Sequence, residues 1–415
     1  MDLLTLVRMQ FAVTTSFHFL FVALTLGLAL LVALMETRYV RTGDDGYARM
    51  AKFWGRIYVV NYAMGIVTGL VMEFQFGLNW NGLTHTAGNV FGAPLALETL
   101  VAFFAESTFL GMWIFGWERL PRRVHLALIW LVALTAFLSA YWILVANGFL
   151  QHPVGYEMRG GEARVTDFGK LLTNPNTLVA LGHIAAGAMI TAGVFIAGIS
   201  AYHLRRRTAE QDFFRRSLRT GVITAGIGLV PSIALGIVQS VMIQDNQPAK
   251  DAAFSGDPAK IAHAQAQLAA TYGPGNYTPP SALVEHSGNA MMYIWGALTV
   301  VIVASLLMFR GGALYRVRWF QRVLVFAVPL PFVANIGGWL FREVGRQPWA
   351  VYGVLRTDQA ASHVSTALVV VSLTAFALLF LVLTVADYLL IARIARRGPE
   401  SELAPEPLAE PVLSY

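Results

Sequence analysis

The sequence predicts an all-α polytopic membrane protein of nine transmembrane helices, with its N-terminus outside and its C-terminus cytoplasmic. Three observations carry this. Of 415 residues, 56% are hydrophobic and only 13% charged, and the mean hydropathy is +0.57, far from the balance of a soluble globular chain. Apolar windows long enough to cross a bilayer, about 20 residues each, fall near 10–36, 53–76, 91–117, 124–149, 176–204, 219–243, 287–309, 319–343 and 363–392. The basic residues between them alternate from loop to loop, which sets an orientation.

The elements follow in order. MDLLTLVRMQ opens the chain, and no small-residue cleavage site follows its apolar stretch, so it reads as the start of a retained helix rather than a signal peptide. Arg38, Arg41, Arg49 and Lys52 follow the first span, and Arg119, Arg122 and Arg123 follow the third. Arg205, Arg206, Arg207, Arg215 and Arg216 follow the fifth, Arg310, Arg316, Arg318 and Arg322 the seventh, and Arg393, Arg396 and Arg397 the ninth. Every odd-numbered exit is basic, which places those loops in the cytoplasm and the N-terminus outside. Gly65 and Gly69 form a GxxxG pair in the second span, read as a close helix contact. The loops after even-numbered spans are longer and less basic. The largest, 244–286, is extracytoplasmic in this orientation; it begins polar, passes through an alanine-rich stretch read as a short helix, and ends in Pro/Gly turns. Residues 1–397 read as one transmembrane domain, and the Pro- and Glu-rich tail 398–415 as disordered and cytoplasmic.

The net charge is +6, but its basic residues lie in short clusters between spans rather than on one face, so no nucleic-acid partner is expected. The absence of cysteine excludes disulfides, thiolate-held clusters and covalent c-type haem, leaving His, Met, Glu and Asp as metal ligands. Ionisable groups within a span are costly, and each is a functional candidate: His18, Glu73, Glu98, Glu106, His183 and Glu343, with Arg8, Arg346 and Asp387 at the interface. Counting inward at about 1.5 Å per residue, His18 lies about eight residues, His183 about seven and Met292 about five from the outer ends of their spans, with Glu343 at the outer end of span eight. A lone intramembrane His is often a hydrogen-bonded packing residue, and a lone Met is usually core filler. Four such residues at similar depth point to haem, for which His/Met is a recognised axial pair. Glu98 and Glu106 stand about 12 Å apart along an α-helix and roughly 80° apart around it. They read either as a polar track extended by Ser107 and Thr108 or as neutral acids at helix contacts. His85, His125, His152, His203, His263, His286 and His363 fall in loops or at span ends and are assigned no role.

The stretches QFAVTTSFHFLFVALTLG, KFWGRIYVVNYAMGIVTGLVMEFQFGLNW, FGAPLALETLVAFFAESTFLGMWIFGWERLP, LSAYWILVANGFLQHPVG and GWLFREVGRQPW bring the chain together with a known family. Over nearly its full length it resembles subunit I of the cytochrome bd quinol oxidases. The resemblance implies a haem-containing terminal oxidase subunit of the bacterial cytoplasmic membrane. It would oxidise quinol near the outer face and reduce oxygen to water by four electrons, taking protons from the cytoplasm. Two haem b groups, one low-spin and one high-spin, and one haem d are implied. His18 and Glu343 match the axial ligands of the two high-spin haems, without saying which is haem d. His183 and Met292 match the ligands of the low-spin haem, with Met291 an adjacent rival. Glu98 and Glu106 match the acids of the oxygen site and its proton path, with Ser107 and Ser139 beside it. Trp339 matches the aromatic residue between haems, Arg346 the cation that neutralises haem propionates, and Arg8 joins the haem-contacting set. Arg342 either screens a second propionate or faces lipid head groups. Gln247 and Lys250, in QPAK, match the quinol-contacting stretch. The implied partners are a subunit II, a small single-span subunit and membrane lipids.

Two positions depart from the family pattern. Ser255 stands where the family carries a Glu that handles quinol protons, and Ala290 stands where it carries an Arg beside the low-spin haem. Glu285, His286 and Asp251 are the groups available to substitute. A bd-like haem protein with a non-quinol electron donor therefore stays open. A proton-coupled secondary transporter using Glu73, Glu98 and Glu106 is the reading from another class; it lacks the paired broken spans of such proteins.

Overall fold

The computed structural model describes residues 2–399, and among these nine helices are long and apolar enough to cross a membrane. They are Leu3–Thr42, Asp45–Asn79, Asn81–Gly116, Arg122–Gln151, Phe168–Arg206, Gln211–Asn246, Ser281–Leu307, Arg318–Val344 and Thr366–Arg397. Each coincides with one apolar window, and their ends differ from it because capping chemistry rather than hydropathy terminates a helix. Asp2 accepts the Thr5 N–H at 2.9 Å to start the first span, and Gly43, at φ 71°, closes it. Asn174 and Ser365 cap the main helices of the fifth and ninth spans, and Pro175 occupies the first helical position of the former. The tail beyond 399, expected to be disordered, lies outside the described residues.

Three spans are not continuous α-helices, the fifth being broken between Phe168–Leu172 and Pro175–Arg206. The third runs as Asn81–Leu97, a π-helical turn Glu98–Phe103, and Phe104–Gly116. The inserted residue of a π turn breaks the regular 3.6-residue period, so the roughly 80° separation expected of Glu98 and Glu106 on an ideal helix does not apply. The eighth is split into Arg318–Ala327 and Leu330–Val344, where Pro329 and Pro331 remove backbone donors.

The loops carry short strands that the hydropathy pattern does not announce. Tyr156–Arg159 pairs antiparallel with Glu162–Val165 through Gly160 (φ 60°) and Gly161 (φ 86°), the positive-φ pair that a two-residue hairpin requires. Trp349–Val351 pairs with Leu355–Arg356. Within 244–286, Pro248–Ser255 and the expected alanine-rich Pro258–Tyr272 are both helical.

The first span is the hub, packing against the second, fourth, fifth, eighth and ninth. Apolar packing is concentrated in two clusters at opposite ends of the bundle. One gathers Leu28, Met35, Trp54, Tyr58 and Phe214, the other Val7, Trp80, Phe91 and Phe149. The stretch of the first span between them lines an internal cavity. The fifth and sixth spans meet closely through facing glycines: a Cβ built on Gly193 would lie 2.5 Å from the Gly221 carbonyl oxygen. Gly193→Val should force these backbones apart and cost at least about 1–3 kcal/mol. Thermal unfolding in detergent reads this as a lowered Tm, and an unchanged Tm would show that the contact carries no strain.

Candidate functional site

His18 is held by the turn of helix opposite it. The Thr68 hydroxyl sits 3.0 and 2.9 Å from the Met64 and Gly65 carbonyls and 2.9 Å from His18 Nδ1. Its single proton goes to a carbonyl, so it accepts from Nδ1–H, and Nε2 is left with a free lone pair. This is how a ligating histidine is oriented by its other nitrogen. Gly69, half of the GxxxG pair, makes the close contact expected of it, and its neighbour is the imidazole itself: a Cβ there would stand 3.3 Å from His18 Cε1.

His18 lines a cavity of about 270 Å³ together with Glu98, Glu106, Ser139, Glu73 and Trp339. The structure thus gathers six of the sequence-designated residues around one space. Ser139 donates to Glu98 Oε1 at 2.6 Å, Tyr58 to Glu106 Oε1 at 3.3 Å, and Ser107 lies 3.2 Å from the Tyr62 hydroxyl. Thr108 does not extend this track; it is exposed and bonds back to Phe104 O at 2.8 Å.

Trp339, stacked on Phe19 at 5.3 Å, also borders a second cavity of about 60 Å³ lined by Arg8, Glu343, Arg346, Trp349 and Thr357. Glu343 is buried and fully answered. Its Oε2 pairs with Arg346 at 2.5 Å, and its Oε1 accepts from Asn147 at 2.8 Å and Gln151 at 3.1 Å. Arg346 also donates to Ala350 O, and Arg8 to the Thr357 hydroxyl. The Nε–H groups of both arginines are buried without a partner, as is the indole N–H of Trp349. Unanswered donors around one small cavity fit a group that brings carboxylates with it, as haem does.

The loop residues belong to the same network. Gln247 donates to Gln151 O at 2.9 Å and Oε1 at 3.0 Å, and Lys250 to Arg342 O at 3.0 Å and Gln247 Oε1 at 3.3 Å. Arg342 donates to Asn147 Oδ1 at 2.8 Å, so it faces the interior rather than lipid head groups. Asn147 and Gln151 were missed from the sequence, although two polar amides four residues apart in an apolar span were a usable signal. Ser255 is exposed and spends its hydroxyl on Ala252 O at 2.7 Å, while the Glu285 carboxyl folds over the adjacent Gly256.

His183 and Met292 are not brought into contact with these cavities. His183 Nδ1 is buried without a hydrogen-bond partner of normal geometry, and the Gly236 backbone leaves space beside its ring. Met291 lies with its sulfur beside Gly338, and Met292 is 50% exposed.

Three buried polar features escaped the sequence reading or differ from it. Glu36 is buried among the first, third and fourth spans; its Oε1 lies 2.7 Å from His125 Nδ1, and Trp113 donates to its Oε2 at 2.8 Å. His125 Nε2 lies 2.8 Å from Trp113 O, so this span-end histidine is a buried packing group. His203 is likewise buried, stacked on Phe214 at 3.9 Å. Asp387, expected at the interface, is buried within the ninth span, and its Oδ1 has no partner.

Buried imidazole, carboxylate and guanidinium groups converging on interior cavities define a class: a helical-bundle membrane protein built to hold charged or metal-bearing groups inside the bilayer. The family model described as cytochrome bd terminal oxidase subunit I matches residues 6–274 and 271–399. The cytochrome bd ubiquinol oxidase subunit 1 of Bacillus subtilis strain 168 is 38% identical over 97% of this chain and 95% of its own length. The cytochrome bd-II ubiquinol oxidase subunit 1 of Escherichia coli strain K12 is 31% identical over 98% and 99%. The bd oxidase structure from Geobacillus thermodenitrificans superposes with a TM-score of 0.84 at 28% identity, covering 96% of this chain and 99% of that one. The chain belongs to the cytochrome bd terminal oxidase subunit I family, a haem-dependent family of membrane oxidoreductases. That membership replaces the transporter reading.

Lys250 generates a pH prediction. Burial, and then the Arg342 guanidinium, hold its ammonium well below the usual lysine range. A base depressed in the folded state binds fewer protons there than in the unfolded chain, so between the two pKa values stability rises with pH. Lys250→Met should flatten that rise, as read from Tm against pH in detergent. Equal slopes for wild type and variant would show that Lys250 is not desolvated.

Proposed function

We propose that this chain is the haem-bearing subunit of a quinol-oxidising terminal oxidase that carries out the four-electron reduction of oxygen to water. The observation that carries the reading is the cavity shared by His18, Glu98, Glu106, Ser139 and Trp339, set against the Glu343–Arg346 cavity. His18 through Nε2, Glu343, and His183 with Met292 would hold the irons of a high-spin pair and a low-spin haem, two of type b and one of type d. Bound there, haem supplies oxygen binding and single-electron transfer.

The remaining work falls to side chains of this chain. Arg346 and Arg8 carry buried, unpartnered Nε–H donors that would bond haem carboxylates and so orient the macrocycles. Trp339 borders both cavities and fills the space between them. Glu106, with Ser107 and the Tyr58 and Tyr62 hydroxyls, passes protons towards Glu98, where Ser139 steadies the carboxyl. With every basic odd-numbered exit on the cytoplasmic side, the first span starts outside, and Glu106 lies on the cytoplasmic side of Glu98. Protons for water enter from the cytoplasm and quinol protons leave outside, so turnover builds a gradient without a pump. Gln247 and Lys250, on the 244–286 segment, form the inner wall of the quinol site. A subunit II and a small single-span subunit complete the assembly in the bacterial cytoplasmic membrane.

One observation favours a second reading, a bd-type oxidase fed by a non-quinol donor. Ser255 cannot accept a proton as a carboxylate does, and its hydroxyl is engaged on its own helix. Oxygen consumption by the purified complex decides between them. Turnover with a reduced quinone supports quinol oxidation; turnover only with an artificial donor overturns it and leaves the oxidase. An optical spectrum without haem bands removes both. For the ligands, His183→Ala should erase the low-spin signal while the high-spin bands remain, and retention of every band would refute that assignment.

A further inference from the structure

Glu73 is the one acid of the large cavity to which the proposed path gives no task. It lies on the second span, one helical turn beyond the Gly69 that contacts His18, and faces the π-helical turn carrying Glu98 and Thr99. The Thr99 hydroxyl stands between two carboxyls, 2.8 Å from Glu73 Oε1 and 3.1 Å from Glu98 Oε2. A hydroxyl has one proton and can donate to only one of them. The other contact is a hydrogen bond only if that carboxyl supplies a proton to the hydroxyl oxygen. The groups facing this pair are Glu106, Tyr62, Ser139 and His18, none of them a fixed cation. Two adjacent carboxylates with no cation to answer them do not both stay ionised in such a site.

We propose that Glu73 and Glu98 share a single proton through Thr99, and that Glu73 is a positioning residue which keeps a proton beside the oxygen-reducing cavity. The inference rests on the oxidase reading for its use but not for its existence. During turnover the O–H bond of the shared acid breaks, its proton leaves into the cavity to become part of product water, and two facing carboxylates remain. A proton arriving by way of Glu106 restores the acid. No electron moves in this step. The repulsion left behind favours rapid refilling, so the pair acts as a one-proton store rather than a passive lining.

Infrared spectroscopy of the complete oxidase at rest tests this without turnover. Wild type should show a carboxylic acid C=O band that shifts in D₂O. In Glu73→Gln, whose amide donates to Thr99 in place of the shared proton, Glu98 should ionise and the band should vanish. In Thr99→Val the band should persist but move, because the bridging hydrogen bond is gone. No acid band in wild type, or an unchanged band in both variants, overturns the shared proton. Should Glu73→Gln fail to assemble, the Thr99→Val shift decides alone. Oxygen consumption by Glu73→Gln should fall about tenfold or more in kcat with little change in the KM for the electron donor. Loss of the band with kcat within about twofold of wild type overturns the part in proton delivery while leaving the dyad. Wild type that consumes no oxygen with any donor sinks the oxidase reading instead, and the band still reports on the pair.

Discussion

A carboxylate sealed inside an apolar bundle persists only where charge and hydrogen bonds answer it, and the heaviest such demand falls on Glu343. It is 8% exposed and takes one partner from its own segment, Arg346, and two from the fourth span, Asn147 and Gln151. Those amides in turn bind Arg342 and Gln247, and Arg342's carbonyl receives Lys250. One buried acid therefore sets the position of the eighth-span terminus, the fourth span and the Pro248–Ser255 helix relative to one another. Removing any member would strand a charge or a polar group without water, the costliest class of error in an interior.

The same network leaves a charge imbalance with a chemical meaning. Arg342 and Arg346 flank a single carboxylate, and Arg8 borders the same cavity. Positive charge in excess of its internal partners is costly unless something anionic is bound, and the proposed haem carboxylates are such a group. The larger cavity has the opposite character, with Glu73, Glu98 and Glu106 beside His18. A cationic cavity suits anchoring a macrocycle, and an acidic one suits handling protons. Trp339, common to both, stands where the two chemistries meet.

The residue pattern carried much of this because the bilayer makes one-dimensional signals strong. Windows of apolar residues must become helices where no water can pair the backbone, so the nine spans were legible at once. Ionisable residues inside them are rare and costly, so His18, Glu98, Glu106, His183 and Glu343 stood out singly. The GG dipeptide between Arg159 and Glu162 also announced its hairpin in principle, but an overall reading by hydropathy passes over four-residue strands. What resisted was pairing. Glu36 sits at the edge of its apolar window and His125 just inside another, and only their meeting at 2.7 Å makes them one buried unit. Asp387 reads as interfacial in the sequence, yet its helix runs on for ten residues to Arg397.

Composition, periodicity and the family resemblance determined, on their own, that this is a nine-span membrane protein with candidate ligands inside its spans and a GRQPW segment able to bring guanidinium groups to a carboxylate. Tertiary structure decided which groups answer one another. It set His18 in the cavity wall with Nδ1 on Thr68, packed Met291 beside Gly338, and set Thr99 between two acids through a π turn. The reason is physical. Burial cost depends on a residue's own type and can be read along the chain, whereas a hydrogen bond needs two atoms within about 3 Å of each other, and residues 147 and 343 become neighbours only when helices far apart in sequence pack together.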